Sequence, residues 1–296
     1  MTAKTNAIVT PSHAPDFERC AILCESIDRY VTGYSMHYLL VDTIDAPLFR
    51  RLEGPRRRII TETELLPWWL RRVPSPLSPG GRRVWIGPRT LPLVGWHVQQ
   101  IKRIAIAGLI DDDGLLYCDS DTAFVRPYDL ADMWVGDAMR FYRHDHGARE
   151  VRAGDHMDWV AHAADALGIE KSLRQDHDYV GQFTAWKRST ILGMCARMEQ
   201  VHGRHWVAVI GRKRKFSECM LYGAYVDGVL GGAGHHAVDR LTCEVRWFDP
   251  APSDAELDAM IAGLKPGQVG IGVQSFVDMA PERFRAAVLG RRAAAA

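Results

Sequence analysis

Ala7-Ile8-Val9-Thr10-Pro11 opens the first readable element of the chain, and His37-Tyr38-Leu39-Leu40-Val41-Asp42 closes the unit it begins. The first run is short, apolar and stopped by proline, the pattern of a buried strand. Between the two lie residues 16–31, DFERCAILCESIDRYV. Here Phe17, Ala21, Cys24, Ile27 and Val31 recur at helical spacing, behind Asp16 as a helix start. The second run reads as another strand and ends on an acid. Strand, helix and strand within about 35 residues make a βαβ unit, and such a crossover demands parallel strands.

The same alternation runs outward from that unit. Residues 66–95 interrupt it with closely spaced prolines and glycines around Trp68, Trp69, Trp85 and paired arginines. Three tryptophans do not belong in a linker. The segment reads as a long irregular insertion, either a lid over an acceptor or a local aromatic packing cluster. Trp96 to Ile110 reads as a helix with Ile101, Ile104, Ala105, Gly108 and Leu109 on one face, ended by the turn Asp111-Asp112-Asp113-Gly114. Leu115-Leu116-Tyr117-Cys118 is the next strand, with Asp119-Ser120-Asp121 at its carboxyl end, where open parallel sheets bind ligands. Further strands are expected at Ala138 to His144, Tyr179 to Trp186, Val238 to Trp247 and 269–274. Helices are expected at Asp155 to Leu167, 190–202, 216–226, 253–263 and 281–289. The expectation is an α/β chain with a mainly parallel central sheet flanked by helices. One domain over residues 1–290 and a frayed tail at 291–296 complete it.

Composition limits the function classes. The 296 residues are 47% hydrophobic and 25% charged, as in ordinary globular proteins. No run approaches the roughly 20 apolar residues of a bilayer span. The first residues carry no signal-peptide pattern, which makes the cytoplasm the expected compartment. Six cysteines, at 20, 24, 118, 195, 219 and 243, include no CxxC pair. Reduced, mostly buried thiols are expected rather than a zinc framework. A net charge of +1 argues against nucleic acid as a partner. Arg50, Arg51, Arg56, Arg57 and Arg58 form one basic cluster, read as solvated surface. Arg212-Lys213-Arg214-Lys215 forms another, read as solvated surface or as a phosphate contact.

Two carboxylates one residue apart at a strand end can face a single divalent cation. Carboxylate oxygens suit Mn²⁺ or Mg²⁺, which keep positions open for phosphate oxygens and water. Asp119 and Asp121 are therefore the candidate metal ligands. The stretch Leu115 to Thr122 resembles the D-x-D segment of glycosyltransferases of the GT-A fold, and Ile8-Val9-Thr10-Pro11 with its βα unit is similar to their nucleotide-binding start. Trp96, Gln99, Gln100 and Lys102, with Ser217-Glu218 and Tyr222-Gly223, resemble a little-characterised bacterial family of glycosyltransferase-like proteins. The resemblance implies a single GT-A-like, Rossmann-type domain and an NDP-sugar donor, a UDP-sugar foremost. It implies a saccharide, lipid-linked or small-molecule acceptor. Thr10, Pro11, Asp42, Gln100, Lys102, Asp119 and Ser120 would then flank the nucleotide, and Asp121 would be the direct metal ligand. Many retaining relatives complete the metal site with a C-terminal histidine, but no histidine follows His236 here. His235, His236, Gln274 or water remain as third ligand; His144-Asp145-His146 reads either as a separate ligand set or simply as a loop after a strand.

Glu218 is the candidate general base. It opens an expected helix after a basic loop, and an inverting transfer needs a carboxylate to take the acceptor proton. Simple capping at Ser217-Glu218 is the competing reading. Gly181-Gln182 is a possible close approach to the donor sugar. Haloacid-dehalogenase-like phosphatases also carry D-x-D at a strand end, followed by x-T or x-V. Here the fifth position is Ala123 and Thr122 comes one place early. That phosphatase reading and a non-catalytic nucleotide-sugar-binding protein are the two alternatives.

Overall fold

The computed structural model describes residues 4–74, 83–150, 155–248 and 250–290. Along the chain, β1 (Asn6–Pro11) leads through α1 (Phe17–Tyr30) to β2 (His37–Val41) and β3 (Arg57–Thr61). Then α2 (Gly95–Ala105) precedes β4 (Gly114–Tyr117) and β5 (Thr122–Phe124). Next come β6 (Ala138–Tyr142), α3 (His156–Leu167), β7 (Thr184–Lys187), α4 (Arg188–His202) and α5 (Glu218–Gly228). The last elements are β8 (His235–Val238), β9 (Cys243–Arg246), α6 (Asp254–Ala262), β10 (Gly270–Val273) and α7 (Pro281–Leu289).

The main sheet has the order β7-β4-β1-β2-β3. Its first four strands in chain order pair in parallel, and β7 lies antiparallel against β4. Alternation along β1 and β4 explains the layers. Ala7, Val9, Leu115 and Tyr117 face a core shared with Val98, Ile101 and Ile104 of α2. Ile8 and Leu116 face the opposite core with Leu23 and Ile27 of α1. Successive strand residues point to opposite faces, so a strand covered by helices on both sides is apolar throughout. The architecture is mixed α/β with a mainly parallel central sheet, as expected.

A smaller sheet, β9-β10-β5, runs parallel between β9 and β10 and antiparallel between β10 and β5. Because β5 starts directly after Asp121, this pairing carries the C-terminal β10 past that acid. Arg19, buried on α1, holds the same segment by donating to the carbonyls of Val273 (3.1 Å) and Met279 (2.8 Å).

Several boundaries differ from the expectation. The arginines at 56–58 are not all solvated surface: β3 begins at Arg57, whose Nε donates to His37 Nδ1 (3.0 Å) and Nη2 to Asp28 (2.7 Å). The helix expected over 96–110 stops at Ala105 and tightens into a 3₁₀ turn at Ile106–Gly108. The strand expected over 179–186 is only β7, because Phe183 takes a left-handed φ of 56° that a strand cannot contain. The strand expected over 238–247 is two, β8 and β9, and the one over 138–144 ends at Tyr142. All six cysteines are free and five are buried. Among the described residues no helix is long and apolar enough to cross a membrane. The tail 291–296 lies outside the described residues.

Part of the insertion at 66–95, residues 75–82, also lies outside them. Its described flanks build a three-stranded sheet from Arg71–Arg72, Val84–Ile86 and Leu93–Val94. Trp69 and Trp85 enter the main core at 7% and 1% exposure, whereas Trp68 is exposed. Aromatic packing thus accounts for two of its three tryptophans. Trp85→Ala is expected to cost about 3–5 kcal/mol, the range for emptying a buried aromatic site. Urea unfolding read by circular dichroism measures it; a loss below about 1 kcal/mol would mean the insertion packs as a detachable flap.

Candidate active site

The chain moves from β1 to β2 and β3 on one side, then returns through α2 to β4 on the other. The strand order therefore reverses between β1 and β4, and open α/β sheets bind ligands at the carboxyl side of such a reversal. β1 ends there at Pro11, followed by Ser12 and His13. β4 ends just before Cys118-Asp119-Ser120-Asp121. Thr122 donates from its amide (3.2 Å) and Oγ1 (2.6 Å) to the Asp119 carbonyl, and this turn lifts residues 119–121 off the sheet. Above them opens a cleft of about 390 Å³, lined by residues 119–121, His13, Asp16, Trp96, Arg103, Glu218 and Gln274 among others. A recess of about 180 Å³ joins it past His13, Trp96 and Gln99, with Pro11, Asp42, Arg83 and Lys102 in its walls. A third hollow, of about 400 Å³, lies behind Thr184 and Ala185, shares Gln182 with the cleft and holds one carboxylate, Asp132.

One helix supplies most of the fixed charge. Gln100, Lys102 and Arg103 of α2 are all buried, which is costly unless each finds a partner. Gln100 Oε1 accepts the Glu218 amide (3.0 Å), and Lys102 Nζ lies 3.1 Å from Asp42 Oδ1. Arg103 reaches Glu218 Oε1 through Nη1 (2.7 Å) and Asp119 Oδ1 through Nη2 (3.0 Å). Burial opposes the charge on Arg103, but Asp119 and Glu218 outweigh it and raise its pKa further. Burial likewise pushes the Asp42 carboxyl up, yet Lys102 and Arg83 overcome that and hold it below its ordinary range.

The paired acids are fixed from different directions. The Gln182 amide donates to Asp119 Oδ2, while the Asp119 backbone amide donates back to Gln182 Oε1 (3.3 Å). Asp121 Oδ2 accepts the Ser275 amide (2.9 Å). Two oxygens are left over. Among the described residues Asp121 Oδ1 has no hydrogen-bond partner. Asp119 Oδ1 has only the Arg103 ion contact, which lacks hydrogen-bond direction. Burial first, then the charge of Asp119, pushes the Asp121 carboxyl up to about 7, and the Ser275 amide only partly opposes this. A buried carboxylate oxygen without a donor on Asp121, next to the Arg103-paired carboxylate of Asp119, is a donor set of the kind hard cations such as Mn²⁺ or Mg²⁺ take.

The remaining expected residues divide. Asp119, Ser120, Asp121, Gln100, Glu218 and Gln274 line the cleft, and Pro11, Asp42 and Lys102 line the recess. Thr10 does not face either: it is fully buried, and its Oγ1 meets His37 Nε2 at 2.9 Å. Both Asp42 oxygens are taken, by Lys102 and by Arg83 (2.7 Å). His235 is bonded to the Tyr222 hydroxyl (2.9 Å), and neither it nor His236 lines the cleft, so of the third-ligand candidates Gln274 is the side chain at the site. In the basic loop, Lys215 pairs with Asp155 (2.9 Å) and Asp158 (2.7 Å), and Arg212 to Arg214 are exposed. The sequence reading missed Arg103, the His13–Asp16 pair (3.1 Å) and the Ser275 amide. Arg103 lies one turn after Gln100 on the polar side of α2, opposite Val98, Ile101 and Ala105, and polar residues there do not announce burial.

Fold and site together define an α/β protein with paired carboxylates at the switch point of its main sheet. The chain belongs to DUF6492, a family of unknown function, which matches residues 5–241. No curated protein matches it. The match ends before β9 and β10, so the backbone donor to Asp121 comes from outside the matched region.

The raised Asp121 pKa has a definite sign. The folded state holds this proton more tightly than the unfolded chain, whose ordinary value is 3.8. The group's contribution to stability is therefore complete below about 4 and is lost as pH rises through about 7. A divalent ion held by Asp121 would take the deprotonated form and release the proton. Mn²⁺ affinity is expected to rise about tenfold per unit between about pH 5.5 and 7 and then level off, with the dependence absent in Asp121→Asn. Calorimetry across that range decides it, and a pH-independent affinity in the unaltered protein is the contrary result.

Proposed function

We propose that this protein is a metal-dependent glycosyltransferase with a single GT-A-like domain, transferring a sugar from a nucleoside-diphosphate sugar, foremost a UDP-sugar, to an acceptor hydroxyl. The observation that carries this reading is the buried, donor-free Asp121 Oδ1 beside the Arg103-paired Asp119, at the carboxyl edge where the strand order reverses. The resemblance of Leu115 to Thr122 to the D-x-D segment supports it. Asp121, and more weakly the Arg103-paired Asp119, would hold Mn²⁺ or Mg²⁺, which offsets charge on a leaving diphosphate.

The chain's own residues take the other tasks. Gln182 and Ser275 keep the two carboxylates from turning away from the cleft. The recess between Pro11, Lys102 and Arg83 takes the nucleoside, beside the positively polarised start of α2 at Gly95. Trp96, Trp159, Trp247 and Phe276 in the cleft wall offer flat apolar faces to pyranose rings, which favours a saccharide or lipid-linked saccharide as acceptor. Glu218 is the base of an inverting transfer: Arg103 and the Gln100 contact to its amide hold it at the cleft, and it takes the acceptor proton.

Donor binding tests the first half. With UDP and Mn²⁺ in the calorimeter, Asp121→Asn and Asp121→Ala are expected to lose metal-dependent affinity, and Asp119→Asn to lose less. Unchanged, still metal-dependent affinity in both Asp121 variants removes Asp121 as ligand. Transfer kinetics test the second half. Glu218→Gln keeps an oxygen for Arg103 and is expected to bind donor within a few fold while kcat drops about 100-fold or more. Product with inverted anomeric configuration accompanies that drop. Near-normal turnover, or retained configuration, reduces Glu218 to the partner of Arg103.

A further inference from the structure

The His144-Asp145-His146 cluster lies away from the cleft, and folding gives it new neighbours. His144 and Asp178 form an isolated antiparallel bridge that ties the loop after β6 to the segment before β7. Gly147 returns its amide to the His144 carbonyl (3.1 Å) and Ala148 donates to the Asp176 carbonyl (3.1 Å). The tight return is completed by His146 in a left-handed conformation, φ 61°, a region a β-carbon disfavours. This conformation sets the His146 ring beside Asp176, with Nδ1 2.7 Å from Oδ1, and 5.7 Å from the His177 ring, centre to centre. One donor atom from each of His146, Asp176 and His177 lies within 4.8 Å of the others. His144, by contrast, turns to Glu150 (3.0 Å).

We propose that His146, Asp176 and His177 form a binding site for a borderline transition-metal ion, zinc foremost, that is separate from the carboxylate pair of the cleft. Two imidazoles and one carboxylate are the donors Zn²⁺ prefers, whereas the all-oxygen pair Asp119/Asp121 suits Mn²⁺ or Mg²⁺. Zinc–nitrogen bonds of about 2.0–2.1 Å set tetrahedral donors about 3.4 Å apart. The His146–Asp176 contact must open slightly and the wider ones close, and His146, 73% exposed, is free to turn. The His146 backbone amide donates to His177 Nδ1 (3.2 Å), so the loop itself orients the second ring. Arg149 contacts the other Asp176 oxygen and leaves Oδ1 for the ion. The ion would staple together two segments, the second of which runs directly into Val180, Gly181 and Gln182 of the cleft wall. Its role is to fix the backbone that presents Gln182 to Asp119.

The full chain, saturated with Mg²⁺ so that the cleft carboxylates are occupied by a hard ion, is titrated with Zn²⁺ in a calorimeter and with Co²⁺ in a spectrophotometer. One Zn²⁺ per chain is expected, and Co²⁺ should give the visible bands of a low-coordinate N/O site. His146→Ala and His177→Ala should each weaken Zn²⁺ about 100-fold or more. Asp121→Asn should leave Zn²⁺ binding unchanged, which separates failure of this site from failure of the glycosyltransferase reading. Circular dichroism of the ion-free variants, matching the unaltered chain, excludes simple misfolding. A chain that takes up no Zn²⁺, or one whose binding survives in the His146→Ala/His177→Ala double variant, overturns the proposal.

Discussion

The buried guanidinium of Arg103 is the contact on which the cleft depends. It bridges Asp119, delivered by β4, and Glu218, at the start of α5, residues 99 positions apart in the chain. Its own carbonyl accepts the Tyr117 hydroxyl (2.7 Å), so helix, strand and side chain are tied at one point. A cation buried this deeply is tolerable only while both carboxylates stay, and losing one partner of such a contact typically costs about 3–5 kcal/mol. The arrangement is a constraint more than a source of stability. It fixes where α5 begins relative to the sheet, and so how wide the cleft is.

Even with Arg103 counted, the cleft is short of positive charge. Asp16, Asp119, Asp121 and Glu218 line it together, and Arg103 serves two of them at once. Arg19 lies near enough to lower the Asp121 pKa, but its guanidinium is directed to the carbonyls of Val273 and Met279. Crowded carboxylates of this kind either keep a proton or recruit a cation, and the raised Asp121 pKa is the first of these outcomes. The switch point of the sheet supplies the place and the surplus of acid supplies the demand. Under the proposed function a diphosphate alone would worsen the imbalance, and a divalent ion would offset it.

Much of this was readable because it is local. The apolar run at 7–10 and the helical period over 17–31 place β1 and α1 without knowledge of the rest, and the strand before Asp119-Ser120-Asp121 is legible for the same reason. What escaped is what depends on distant partners. β3 carries Arg57 and Arg58, and of its residues only Ile60 is fully buried, as suits an edge strand, so hydrophobic pattern gives no warning of it. Residues 179–183 have the composition of a strand, but Gly181 abuts Leu241 and Phe183 stacks on Phe124 at 4.1 Å, and that packing bends the chain out of the sheet. The resemblance puts Thr10 beside the nucleotide, and its strand-end position alone suggests no more than a cap or turn. Which way its hydroxyl points is decided by His37 on the neighbouring strand. The ion pairs of Arg103 join three separate stretches, and no window of sequence contains them.

The backbone donor at Ser275 has a bearing on how the molecule comes into being. Strands β1 to β4 hold a parallel core within the first 117 residues, so the sheet can begin to organise while the ribosome is still adding the second half. Asp121, however, receives its hydrogen bond from a residue 154 positions later, and β5 waits for β10 to pair with it. Until that segment exists, Asp121 lacks its backbone donor. The sheet β9-β10-β5 closes over Asp121 only with the C-terminal strand in place. The cleft's paired acids thus draw their support from distant parts of the chain, Asp119 from Gln182 and Asp121 from Ser275.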